Sequence, residues 1–287
     1  MSVTELAVVI ATLNRPAAVV EAIVDVVEQA PLEIEIAVVD QSDDSAFDTV
    51  SVGIEAIADA RIRHIRREVR GLVGARNAGI AATTAPIVLF LDDDVRLLTG
   101  CIAAHLRAYE DPTVGGVVGR IEERILRPNV ATTQNRLDLG GRIRTNLTGR
   151  RAQPIQTLKG ANMSFRRSAL LQAGPFDPGY EGTAFLEDAD MSTRVAACGW
   201  SLRFEPDAAL RHLSLPAGGV RVGSALDTER WRFHNTAYFV RRHRGRRALM
   251  PMVATFSAIA IRRSLTWGTP AAVPLLMASL ARGWRRA

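Results

Sequence analysis

Cysteine and lysine are almost missing from this sequence. Cys101 and Cys198 stand far apart with no His or Cys at metal-ligand spacing, so neither a disulfide framework nor a zinc site is expected, and both read as buried thiols. Lys159 is the only lysine. The opening MSVTELAVVIATLNRP has no basic region ahead of its apolar run, and Asn14 and Arg15 arrive too soon for a secretory leader, so the chain reads as cytoplasmic. No G-x-G-x-x-G follows that run and no G-x-x-x-x-G-K-[ST] occurs, which excludes the dinucleotide fingerprint and the P-loop. Acidic residues stop before Arg241, and from Arg241 onward there are ten arginines. Those ten exceed the net charge of +6, so the preceding residues are net acidic. The basic excess points to a local anionic partner such as a lipid surface, at the inner face of a cell membrane, and not to nucleic acid.

What is present is the alternation of an α/β protein. With 287 residues and 47% hydrophobic content there is enough chain for a large core. Leu6 to Thr12 is a short β-branched run expected as a buried strand, and Pro16 opens a helix over Ala17 to Gln29. Ile34 to Asp40 is a second strand. Asp48 to Ala60 then reads as a helix, Ile62 to Ile65 as a strand, Val73 to Ala82 as a helix and Pro86 to Leu91 as the fourth strand. Further expected elements are a helix near Leu98 to Tyr109, a strand over Val114 to Ile121, helices at Arg167 to Ala173 and from Leu186, and a short strand over Leu202 to Glu205. The pattern predicts a mainly parallel sheet with helices on both faces.

LFLDDDV, Leu89 to Val95, is the informative stretch. Adjacent carboxylates repel, so they persist together only where a cation, ordered donors or water absorbs the charge. Alternation along an extended chain would point Asp92 and Asp94 together and Asp93 away. Oxygen ligands of this kind suit Mg2+ or Mn2+ carrying a phosphorylated substrate; a solvated acidic turn is the plain alternative. Thr12 to Arg15 and Asp40 fall at other strand ends, the edge where such sheets bind ligands. Downstream, Glu187 and Asp188 open a helix, Asp190 and Arg194 form an i,i+4 pair expected on a helix surface, and His212 follows the last short strand. Arg76-Asn77 either caps a helix or meets a phosphate. Glu122 to Leu158, with Arg124, Arg127, Arg136, Arg142, Arg144, Arg150 and Arg151, is irregular and reads as an acceptor-side loop or a solvated insertion.

In order, VVIATLNRP, VVDQSDD, GLVGARNAGI, LFLDDDV, GANMSFRRSAL, FLEDADMSTR and the later histidine resemble the inverting family 2 glycosyltransferases, over about Leu6 to His212. The resemblance implies a GT-A fold, a Rossmann-like sheet over 1–220, with 221–287 as a helical tail. It implies a nucleotide-diphospho-sugar donor and a carbohydrate or lipid-linked acceptor. Thr12, Asn14 and Arg15 would surround the nucleotide, with Asp40 on the base edge weakly favouring a pyrimidine. Arg76, Asp92, Asp93, Gly160 and Asn162 would complete the donor site, Asp94 and His212 would ligate the metal, and Asp188 would be the catalytic base. A nucleotidyltransferase, the other enzyme reading, would want a glycine- and lysine-rich loop where ATLNRP stands.

The tail holds two apolar stretches, Ala248 to Ile261 and Thr269 to Ala281, bracketed by arginines and tryptophans. Each is shorter than the ~20 residues of a spanning helix, and Pro251, Pro270 and Pro274 are expected to interrupt them. They read as helices lying in a membrane interface, or as an apolar pair packed on the domain or on a second copy of the chain in a homo-oligomer.

Overall fold

The β-branched runs form strands where expected in the computed structural model, which describes residues 5–29, 33–123, 136–138, 140–144, 147–219 and 223–287. The elements begin β1 (Leu6–Thr12), α1 (Pro16–Gln29), β2 (Ile34–Asp40), α2 (Asp44–Ile57), β3 (Ile62–Arg66), α3 (Leu72–Ala81), β4 (Ile87–Asp92), β5 (Val95–Leu97), α4 (Cys101–Ala108) and β6 (Val114–Glu123). Next come the two-residue strands β7 (Arg136–Leu137), β8 (Ile143–Arg144) and β9 (Gln153–Pro154), then β10 (Asn162–Arg166), α5 (Arg167–Ala173), α6 (Glu187–Ala197) and β11 (Ser201–His212). Three helices close the chain: α7 (Ala225–Arg244), α8 (Leu249–Trp267) and α9 (Ala272–Arg286).

Among the described residues the main sheet runs β3-β2-β1-β4-β10-β6-β11-β5, with β9 beside β11. β3, β2, β1 and β4 are parallel, and β1, β2 and β4 are buried along nearly every residue, so both of their faces are covered. The other half is mixed, because β10 inserts antiparallel between β4 and β6. The sequence concealed β10: Met163 and Phe165 are its apolar face, but Asn162 and Ser164 alternate with them and are equally buried. β11 is also longer than the four residues expected. Its pairing with β6 breaks between Glu205 and Leu210, around Pro206, and then resumes as far as His212. α2 starts earlier than expected because Asp43 caps it, its carboxylate accepting from the Ala46 N–H.

The tail differs most. Pro251 and Pro274 do not interrupt helices: each is the third residue of one, α8 and α9, where the missing N–H has no partner to lose. Arg246–Trp267 is consequently a 22-residue stretch long and apolar enough to cross a membrane, not the short segment expected. Yet Met252, Phe256 and Ala260 of α8 and Leu276 and Leu280 of α9 belong to the same apolar cluster as the sheet. Asp190, expected on a helix surface, is fully buried and ties α6 to α7 through His243 at 2.7 Å, while Arg194 holds its other oxygen at 2.8 Å. Cys198, expected to be buried, ends α6 and is exposed; Cys101 is buried.

α9 crosses α7 closely at Gly283, where a Cβ would fall 1.9 Å from the His234 carbonyl oxygen. Gly283→Ala should therefore lower stability by about 1–3 kcal/mol in urea unfolding, whereas Ala281→Ser on the exposed side should stay within about 0.5 kcal/mol.

Candidate active site

Strand register assembles the site. Thr12 pairs with Asp40, Ala11 with Asp92 and Leu91 with Asn162, so the ends of β1, β2 and β4 and the start of β10 share one edge. β5 then pairs with the far end of β11, setting Val95 opposite His212 and bringing that histidine to the aspartates. The three carboxylates divide as expected, but not by strand alternation: β4 ends at Asp92, and Asp93 and Asp94 form the turn into β5. Asp92, Asp94 and His212 offer ligand atoms all within 4.8 Å of one another. Asp93 turns away, accepting from Thr12 Oγ1 at 2.8 Å and Arg15 at 2.7 Å. Burial pushes Asp93 up to about 6 against the pull of Arg15. Burial opposes charge on His212, but hydrogen bonding to Asp94 and Glu123 outweighs it and raises the imidazole to about 9.

Arg15 is a strut. Its guanidinium reaches Asp93 and Asp94 on one side and the carbonyls of Leu215 and Ala217 on the other, at 2.8–2.9 Å. This pins residues 213–219 across the edge, and the Leu215 N–H donates to Asp94 at 2.9 Å. Arg76, buried, pairs with Glu187 and stands 3.9 Å from Asp92. Burial raises Glu187 to about 7, with Arg76 opposing the shift. Asp188, next in the first turn of α6, accepts from the Gly160 N–H at 3.0 Å and the Ala189 N–H at 2.8 Å, with Lys159 at 3.7 Å.

One cavity of about 590 Å3 collects these groups. Thr12, Arg15, Arg76, Asp92, Asp93, Asp94, Gly160, Asp188 and His212 line it. Asn14, Asp40 and Asn162 do not. Asn14 instead holds the second loop, its Oδ1 accepting from the Asp43 N–H. Asp40 is fully buried, engaged by the Ser42 N–H at 2.8 Å and His64 at 3.1 Å. Asn162 is fully buried in a network described below.

Residues 7–173 match the profile of glycosyl transferase family 2. The chain belongs to that family. Two curated Mycobacterium tuberculosis proteins, from strains CDC 1551 / Oshkosh and ATCC 25618 / H37Rv and each named pre-mycofactocin glycosyltransferase, are 33% identical over 147 residues. The match takes in 50% of this chain but only 30% of theirs. Among solved structures, the mannosyltransferase PcManGT from Pyrobaculum calidifontis in complex with GDP-Man and Mn2+ matches with a TM-score of 0.62 at 19% identity, over 98% of this chain and 75% of that one. GalNAc-T7 with UDP, GalNAc and Mn2+ matches at 0.63 and 17%, over 74% and 44%. The fold is GT-A.

Several cavity residues of this family 2 chain escaped sequence reasoning. Gln41 directly adjoins a residue that was singled out, and Lys159, the lone lysine, precedes Gly160; Glu187, paired with Asp188 in the sequence, also lines the cavity. Arg142, Glu229, Arg232 and Phe256 come from the β7–β8 turn and the tail and carried no motif. Arg142, named in the irregular segment, lines the cavity; Arg124 and Arg127 lie outside the described residues.

Burial would raise the Asp40 carboxyl, but His64 and Ser42 overcome it and hold the group below its ordinary value. Such a depressed group contributes stability that is full above its unfolded pKa and lost as pH falls through its folded one. In urea unfolding across a pH series, Asp40→Asn should cost most near neutrality, and its deficit should shrink once pH drops below about 4.

Proposed function

We propose that this chain transfers a glycosyl unit from a nucleotide-diphosphate sugar to an acceptor hydroxyl with inversion at the anomeric carbon. The carrying observation is a single cavity in which Arg76 links Asp92 to Glu187, so that the Asp92, Asp94 and His212 group adjoins the α6 turn bearing Asp188. Family membership and solved neighbours with UDP, GalNAc, GDP-Man and Mn2+ support it.

Two carboxylates and an imidazole this close fit a divalent ion such as Mg2+ or Mn2+. When bound, that ion supplies neutralising charge for the departing diphosphate. Thr12, Arg15 and Asp93 shape the donor ledge, Arg76 sets the position of Asp92, and Gly160 fixes the base. Asp188 takes the acceptor proton as that oxygen bonds to the anomeric carbon; the bond to the diphosphate oxygen breaks on the opposite face, and its electron pair leaves with the nucleotide. Residues 1–220 form the donor and catalytic part and 221–287 a helical part, with a carbohydrate or lipid-linked acceptor between them.

The test is a panel of nucleotide sugars with Mn2+ or Mg2+, read by melting shift and transfer. Both pyrimidine and purine donors belong in it, because Asp40 presents no exposed edge to a base. Asp94→Ala should lose the metal-dependent shift. Asp188→Asn should keep the shift while transfer falls by ~10²- to 10⁴-fold. Full transfer by Asp188→Asn, or a retained anomer in the NMR spectrum of the product, would reject the mechanism.

We also propose that the tail rests on an anionic membrane at its cytoplasmic face. Met250, Ile261, Leu265 and Leu275 are exposed apolar side chains, and Arg246, Arg247, Arg262, Arg282 and Arg285 are exposed around them. The buried side of α8 faces the protein, which favours lying on the surface over crossing it. The full chain should sediment with anionic but not neutral vesicles, and Ile261→Glu with Leu265→Glu should abolish that; unchanged sedimentation would refute it.

A further inference from the structure

Among the chain's 36 lysines and arginines there is one lysine, Lys159, and it lines the cavity. Elsewhere around the cavity, arginines donate directly to the acids they neutralise. Arg15 donates to Asp93 at 2.7 Å, Arg76 donates to Glu187, and Arg263 donates to Glu229 at 2.9 Å. Asp188 is not gripped in this way. Its cation among the described residues is Lys159, whose Nζ stands 3.7 Å from Asp188 Oδ2, beyond hydrogen-bond reach.

Backbone contacts place this lysine beside the base. The Asn162 N–H donates to the Lys159 carbonyl at 3.1 Å, closing a turn over residues 159–162 at the start of β10. Asn162 fastens the turn to the sheet, its Nδ2 donating to the Ala208 carbonyl at 2.8 Å. On the other side the Leu158 N–H donates to Ser192 Oγ at 2.9 Å, and the Ser192 hydroxyl donates to the Asp188 carbonyl at 2.6 Å. With the Gly160 N–H on Asp188 Oδ2 at 3.0 Å, the chain is tied to α6 on both sides of Lys159, whose own side chain is half exposed. Each Asp188 oxygen accepts one backbone N–H, Oδ2 from Gly160 and Oδ1 from Ala189, and keeps a lone pair for a hydroxyl.

We propose that Lys159 is a positioning residue for the base: its ammonium supplies the counter-charge that lets Asp188 stand as a carboxylate, without occupying the oxygen that receives the acceptor proton. The inference rests on the glycosyl-transfer reading above. Asp188 shares its surroundings with Glu187 on α6 and Asp92 at the end of β4, and Arg76 of α3 is divided between those two; on α7, Glu229 and Arg232 line the same cavity. Attraction to Asp188 raises the Lys159 ammonium above its ordinary value against the opposing effect of burial, so it stays charged. A cation at this range favours the ionised form of a carboxylate, and neighbouring acids oppose it. Lysine is a compact point charge, whereas arginine is a planar fork that takes a carboxylate by two bonds. An arginine here would close on Asp188 as Arg15 closes on Asp93 and tie up the oxygen that must meet the hydroxyl.

Carboxyl-carbon NMR of the full chain, with aspartate labelled at its side-chain carboxyl, reads the charge on Asp188 without any substrate; its signal is the one that Asp188→Asn removes. In Lys159→Met that signal should titrate about 1–2 pH units higher than in wild type, because Glu187 and Asp92 remain with Arg76 divided between them. Transfer by Lys159→Met should fall on the acid side and return as pH rises. Lys159→Arg should keep the wild-type titration or lower it, yet reduce kcat about tenfold, the scale of one charge-assisted hydrogen bond that must break to free an oxygen. Because the side chain is half exposed, both variants should match wild type in unfolding midpoint, and both should keep the melting shift given by nucleotide sugar with Mn2+. An unmoved Asp188 titration in Lys159→Met, or wild-type kcat in Lys159→Arg, overturns the assignment. Loss of the nucleotide-sugar shift in Lys159→Met also overturns it, because the ammonium then serves the donor phosphates. If wild type itself gives neither shift nor transfer, the glycosyl-transfer reading fails, and the carboxyl titration still decides whether Lys159 is the counter-charge of Asp188.

Discussion

Carboxylate crowding at one sheet edge is the constraint on which this structure depends. Asp92, Asp93, Asp94, Glu123, Glu187 and Asp188 line one cavity, and each brings charge that water alone cannot screen in a half-buried site. The chain answers with a cation for nearly every acid: Arg15 at Asp93 and Asp94, Arg76 at Glu187, Lys159 at Asp188, and His212 between Asp94 and Glu123. Each pairing joins elements distant in sequence. Arg15 follows β1 yet grips backbone beyond β11, and Gly218 and Gly219, both at positive φ, let that backbone come close to it. A Cβ at Gly218 would lie 2.6 Å from the Arg15 side chain.

The same logic attaches the tail. Asp190 and Asp177, both on the α6 side, are answered by His243, Arg242 and the Tyr238 hydroxyl of α7. Removing α7 would take His243 from buried Asp190, leaving it Arg194 and Tyr180, and would take Arg242 and Tyr238 from Asp177; truncating one side of a buried ion pair costs several kcal/mol, about 3–5. The tail therefore shares the core of the molecule, and its apolar residues divide between that core and the exposed face of α8. Composition could not make this division, because Phe256 and Leu265 look alike in sequence while one is buried and the other 78% exposed.

What the sequence made readable followed a simple rule. Elements with unbroken β-branched runs, β1 and β2, were bounded to the residue, and the acids at their ends and at β4 fell at the right edge. β10 was missed because half of its buried side chains are polar, and the far part of β11 because Pro206 disguises a bulge as an end. The site was readable where a motif sits on one strand. Glu229 and Arg232 were invisible because their relation to Asp188 exists only through the packing of α7 on residues 177–186, and helix-surface charge looks the same whether it faces solvent or a cavity.

Asn162 shows how a residue can serve a site it never touches. Its Oδ1 accepts from His105 Nε2 at 2.9 Å, and its Nδ2 donates to the Ala208 carbonyl at 2.8 Å. The other His105 nitrogen meets Ser164 at 2.8 Å, and Tyr109 donates to the same Ser164 oxygen at 2.9 Å. Burial lowers His105 to about 4, so the imidazole is neutral at physiological pH and can accept from Ser164 while donating to Asn162. The Asn162, His105, Ser164 and Tyr109 side chains then bond in one consistent direction, and β10 is locked between α4, β6 and β11. Two residues before Asn162, the Gly160 N–H holds Asp188. The position of the proposed base is thus tied to a neutral buried network that is separate from the charged pairs lining the cavity.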